Sequence, residues 1–195
     1  MKTNSFGPFE PNPAEDVAKH FVQVWAEAVL RQAERTREIR RKAADDSRNY
    51  EHNEDWSPTA YELEVNFRTQ WAEEHMLVWA AHQLERWRAR LAKERGEQVP
   101  SENQALKDAR DALEHLDEAQ LDDEGARSPA AKGGTGRALR KLPDEVLRFS
   151  LGGGTLFEVL DPERLDEEAL KVVASIEEEL NDWAVAAYED LIRGR

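Results

Sequence analysis

The chain has no cysteine among its 195 residues. Disulfides, thiolate zinc sites and a cysteine nucleophile are therefore excluded. Long apolar runs are missing too. The longest, MLVWAA at 76–81, falls far short of the ~20 residues that a membrane-spanning helix needs. The N-terminal stretch MKTNSFGPFEPNPAED lacks the apolar core of a secretory signal. Positive charge is scarce: 27 Lys and Arg against 41 Asp and Glu leave a net charge of −14. Such a balance disfavours indiscriminate binding to DNA or anionic membrane. It still permits a local basic patch, because exposed charges are screened beyond ~8–10 Å. These absences predict a soluble, cytoplasmic protein that makes no membrane contact.

What the sequence does contain is helix punctuation. Charged residues reach 35%, yet six Trp and six Phe accompany a regular supply of Leu and Val, enough for one packed domain at this length. Asn12-Pro13, Ser57-Pro58 and Asp161-Pro162 each set a capping side chain before a proline, whose missing N–H and preset φ suit a first helical turn. Ser101–Gln104 (SENQ) spells a capping box. An apolar stripe follows each start. The first is Val17, Phe21, Val24 and Ala28, with Trp25 and Val29 alongside, running to about Ala44 before a loop, DSRNYEHNEDW. The second is Phe67, Trp71, Leu77, Val78, Ala81, Leu84 and Leu91, stopped by Gly96. The third is Leu106, Ala109, Leu113 and Leu116; the fourth is Leu165, Val173, Ile176, Leu180, Trp183, Ala187 and Leu191.

The predicted fold is all-α: an antiparallel bundle of four principal helices forming one domain over 13–195, behind a flexible N-terminal arm at 1–12. A glycine-rich insert at 125–160 precedes the last helix. Within it ARSPAAKGGTGR has the composition of a flexible linker. VLRFSLGGGTLFEVL reads as a small β-hairpin turning at its glycines, or as a short helix followed by a loop.

Most polar motifs have structural explanations. KGGTGRAL lacks the Gly-Lys-Ser/Thr ending of a phosphate loop, and GGGT has no basic neighbour. His75 and His82 are seven residues apart, ~10.5 Å along a helix, and belong to no metal motif. They read as partly buried histidines packed among Trp71, Val78 and Trp79. The tryptophans suit core packing or a dimer seam. No metal and no cofactor are expected.

One stretch carries chemistry: RDALEH, Arg110 to His115. Arginine offers a planar fork to phosphate oxygens, and histidine exchanges protons near neutrality. Asp111 stands four residues before His115, a spacing that lets a carboxylate orient the imidazole. The spacing also raises a difficulty, since residues five apart are rotated by about 140° on a helix. One helix therefore does not aim Arg110 and His115 at one phosphate. The end of the second helix, RWRARLAKER, is expected to run beside the third and bring Arg86, Arg88 or Arg90 near Arg110 as substrate-binding cations.

The arginine-polar-x3-histidine pattern on a late helix of a helical bundle resembles the HEPN superfamily. That resemblance implies a metal-independent endoribonuclease, often a toxin or defence effector. His115 would be its general acid/base, Arg110 its phosphate clamp and Asp111 the orienter of the histidine. It also implies a homodimer that completes the site, RNA as substrate and an antitoxin or other protein partner. The alternative is a non-catalytic helical interaction module that dimerises or binds a protein partner. The surroundings of Arg110 and His115 discriminate between them: one cation-rimmed groove favours the nuclease, separate surfaces favour the module.

Overall fold

The computed structural model describes residues 12–52, 56–122, 125–129, 136–149 and 154–194. Four helices dominate them: α1 (Pro13–His52), α2 (Ala60–Arg95), α3 (Gln104–Glu114) and α4 (Pro162–Ile192). The mostly helical architecture with a small β insert is the one expected. Helix α1 lies antiparallel to α2, with Lys42 beside Asn66 at one end and Arg95 beside Glu15 at the other. It also lies antiparallel to α4, with Arg37 on Asp166 and Lys19 on Glu179. Helix α3 packs on α2. No helix among the described residues is long and apolar enough to cross a membrane.

The termini of these helices follow local chemistry. Asn12 Oδ1 accepts from Glu15 N–H and Asp161 Oδ1 from Glu163 N–H, as the sequence predicts. Gly96 stops α2 at φ 69°, a left-handed conformation that glycine adopts without steric penalty. Two caps differ from expectation. Thr59, not Ser57, caps α2 through a reciprocal box with Glu62, while Ser57 Oγ donates to Asn49 O at 2.6 Å. Asn103, not Ser101, caps α3, accepting from Leu106 N–H at 3.1 Å. Helix α1 also runs past Ala44 to His52. Lys42–Asp46 and Arg48–Asp45 ion pairs stitch the added turns, and Asn66 on α2 donates to Asp46.

The core corrects the reading of α1. Its buried apolar residues are Ala18, Val22, Ala26, Val29 and Ala33, whereas Val17, Phe21 and Val24 are exposed. Two apolar stripes overlap on this helix, and the one richer in small side chains lets α2 and α4 approach closely. Phe21 lies at the edge, stacked on Trp87 at 4.3 Å. Leu77, Val78, Ala81 and Leu84 of α2, Leu106, Ala109 and Leu113 of α3, and Leu165, Ala169 and Ile176 of α4 complete the helical core.

The insert contributes Leu139, Leu147, Leu156 and Phe157 to the same core. Its strands β1 (Gln120–Leu121), β2 (Gly125–Arg127) and β3 (Val146–Arg148) form an antiparallel sheet in that order. The strand before the glycines thus pairs with β2, and Leu156–Leu160 closes a separate tight turn. Residues 1–11 of the expected arm, 130–135 of the expected linker and 150–153 of the expected hairpin lie outside the described residues. Gly125 sits where a Cβ would come within 2.5 Å of Leu147 O. Gly125→Val is therefore expected to part β2 from β3 and destabilise the fold by about 1–3 kcal/mol, measured by urea unfolding.

Candidate functional site

Arg110 and Asp111 sit in the last turn of α3, and the helix ends at Glu114. His115 caps it at φ −110°, ψ 24°, its N–H donating to Asp111 O, and a 3-10 turn follows over Leu116–Glu118. This change of direction swings the imidazole away from the helix surface. Its Nδ1 lies 3.0 Å from Glu118 Oε1, with the ring half exposed. Glu118 is itself fixed by Gly136 N–H at 3.0 Å. That N–H and then His115 hold its carboxyl below the ordinary value.

Asp111 does not meet His115. Its Oδ1 pairs with Arg110 Nη2 at 2.9 Å and its Oδ2 accepts from Lys141 Nζ at 3.2 Å. The expected orienting carboxylate is thus taken by cations, and Glu118 stands in its place. Arg110 bonds Glu114 as well, and its Nε is buried with no partner. Burial first, and then this guanidinium, lower the pKa of His82 on α2. Arg110 therefore faces α2, while His115 faces a shallow groove of about 380 Å³ lined by Asp111, Glu118, Arg137 and Lys141. The two residues do not converge within one chain.

Of the three expected substrate cations, Arg86 shares one cavity with Arg88 and a second groove with Arg90. Arg86 acts on the same His82 as Arg110. Arg88 lines a cavity with His82 and Glu85. Arg90 is paired with Glu94 at 2.6 Å, beside a groove lined by Pro13 and Trp87. Of the other histidines, burial lowers the pKa of both His75 and His82, in keeping with their packing roles. Among the described residues no group of three His, Asp or Glu side chains is placed to hold a metal.

Comparison with known proteins adds nothing to this geometry. No family model, no curated protein and no solved structure matches the chain. The HEPN resemblance rests on RDALEH alone.

Two features escape a reading by periodicity. Glu74 lies on the inner face of α2 and is fully buried, where it accepts from Arg40 Nε at 2.8 Å and Gln70 Nε2 at 2.8 Å. An acid within the apolar stripe, between Trp71 and Val78, is the signal in the sequence. The second feature is α4. Glu179 is its last tie to the bundle, gripped by Arg95 through two bonds of 3.0 and 2.7 Å and by Lys19 at 2.6 Å. Those cations, Arg95 above all, hold its carboxyl down to about 2. Every residue from Leu180 to Gly194 is exposed.

Proposed function

We propose that the chain is a non-catalytic helical interaction module that pairs with a second copy through the end of α4. The observation that carries this reading is the overhang itself. At about 100° per residue, Trp183, Ala187, Leu180 and Leu191 continue the stripe of Leu165, Ala169 and Ile176, beyond the point where the protomer has core to offer. Trp183 is 73% and Leu191 76% exposed, and Leu180, Val185, Tyr188 and Ile192 are open too. Leu180, Trp183 and Leu191 share that stripe, with Tyr188 at its edge, whereas Val185 and Ile192 lie roughly 140–160° round the helix from it. A helical end of ~13 residues is marginal in water unless its apolar face is covered.

A second copy fits that face. Antiparallel pairing about a two-fold axis at Ala187 sets Trp183 against the partner's Leu191 on both sides. Ala184 and Ala187 at the centre allow close approach of the two helices. The measurement is sedimentation velocity of the full chain between 1 and 100 μM. A dimer is the expected species; a monomer throughout removes the proposal.

A second reading, the HEPN-type endoribonuclease, is favoured by one observation: His115 shares its groove with Arg137 and Lys141. Lys141 is paired with Asp111 and Asp108, while Arg137 has no ion-pair partner among the described residues. Under this reading His115 exchanges the proton and the two cations meet the phosphate, with Arg110 supplied across a dimer. His115→Ala would then lower cleavage of mixed RNA, without added metal, by about 100-fold or more. The melting temperature would stay the same, since the ring is half exposed. Unchanged cleavage by the variant, or none by the wild type, removes the nuclease.

A further inference from the structure

The seam between α2 and α3 contains a buried titratable ring that neither reading uses. His82 of α2 is 5% exposed, and its Nδ1 is buried with no hydrogen-bond partner. Across the seam, Nε of Arg110 on α3 is buried without a partner too. Buried polar atoms are nearly always hydrogen-bonded, so this joint is closed with a polar group unmatched on each side. Helix α3 is held there by its apolar face, Leu106, Ala109 and Leu113, which enters the common core. A separate tie runs to the insert, where Lys141 pairs with Asp108 and Asp111.

A neutral imidazole has one N–H and one acceptor nitrogen, whereas the protonated ring has two N–H groups. In the closed seam an N–H at Nδ1 has nothing to donate to, and a buried charge without a partner is costly. The surrounding charges come from three elements. On α3, Arg110 opposes a proton on the ring, while Asp111 and Glu114 favour one. Both acids are already engaged, Asp111 by Arg110 and Lys141 and Glu114 by Arg110. On α2, Arg86 opposes the proton, and Glu85 and Arg88 line a cavity with the ring. From the segment at 97–103, Glu102 lines that cavity as well, paired with Lys107. Burial, then Arg110 and Arg86, hold the His82 pKa below its ordinary value. His75, two turns back and partly buried, lies toward Glu114 instead.

We propose that His82 is an acid-sensitive latch, whose protonation in mildly acidic solution frees the last turn of α3 from α2 while Lys141 keeps that helix on the insert. The direction follows from proton linkage. An exposed imidazole takes its proton near pH ~6.5, and the buried one resists it. Above that pH the closed seam keeps its full stability. Below it the open form binds the proton and the closed form does not, so the balance shifts toward opening, by about tenfold at pH 5.5. What the latch releases is the turn that carries Arg110 and Asp111. The inference is independent of self-association, because it uses none of the exposed end of α4.

The test is hydrogen exchange of the full chain at pH 7.5 and pH 5.5, with the intrinsic pH dependence of exchange divided out. Opening at the amides of 108–115 is expected to rise about tenfold in acid, while those of 22–33 in the α1 core stay unchanged. His82→Leu and His82→Gln remove the titrating ring in an apolar and a polar form, and either is expected to abolish the rise. His75→Gln is expected to leave it in place. Circular dichroism at pH 7.5 confirms which variants fold, and one folded His82 variant is enough for the comparison. An NMR titration of the His82 ring gives a second reading, with a midpoint expected below that of an exposed histidine. A rise that persists without His82, an equal rise at 22–33, no rise in the wild type, or an ordinary midpoint for the ring would each overturn the inference.

Discussion

Trp183→Glu combined with Leu191→Glu is expected to convert a dimer of this chain into a monomer without unfolding the bundle. Both residues lie beyond Glu179, the last attachment of α4, and neither touches the buried core. Their substitution therefore leaves the protomer's packing intact. In an antiparallel pair each would meet the other's counterpart twice, so the double variant buries four carboxylates in the seam. Truncating a single central aromatic anchor typically weakens an interface by 2 kcal/mol or more, about thirtyfold in Kd. Placing charge there without a partner adds a desolvation penalty. Sedimentation velocity reads the dissociation, and far-UV circular dichroism reads a second effect. Without a covering partner, the 180–192 end of α4 is expected to fray and lose helical signal. A wild type that dimerises equally well after the double substitution would place the interface elsewhere.

Arg40→Ala is expected to destabilise the fold by about 3–5 kcal/mol, a large part of the 5–15 kcal/mol typical of a whole domain. The reason is what the substitution leaves behind. Glu74 has no exposed surface, and one of its oxygens already lacks a partner. Removing the guanidinium strands a carboxylate between α1 and α2. Arg40 also reaches the insert, its Nη2 donating to Thr155 O at 2.9 Å and its Nη1 to Gly154 O at 3.3 Å. Loss of those bonds frees the turn that seats Phe157 against Trp71, whose rings lie 4.8 Å apart. The melting temperature should fall by on the order of 10 °C. The double change Arg40→Met with Glu74→Leu is expected to recover most of the loss, because a buried ion pair is weaker support than apolar packing of like volume. Recovery would identify the stranded charge as the cause; no recovery would point to the carbonyl bonds of the insert.

Both expectations rest on features that the sequence displays only in part. Leu180, Trp183 and Leu191 are legible as one face of a helix, yet their pattern is the same whether that face meets its own core or another chain. Glu74 is legible as an acid out of place in an apolar stripe, but its partner lies 34 positions away. RDALEH shows the opposite case. Its residues are conspicuous in the sequence and part company in the fold, because His115 ends the helix that holds Arg110 and the backbone turns between them. His82 and Glu85 carry no motif, and their buried, unpartnered atoms become visible only in the fold.

By itself the sequence determined what local forces control. The helix starts at Asn12 and Asp161 and the stop at Gly96 follow from hydrogen bonds and φ preferences within a few residues. Four apolar repeats of helical period, broken by a glycine-rich insert, were enough to define the architecture. Only the tertiary structure decided which of two overlapping stripes on α1 is buried, where α4 outruns the bundle, and which cation each acid holds. Burial and ion pairing depend on what stands opposite a side chain, and residues brought together from distant positions leave no periodic trace.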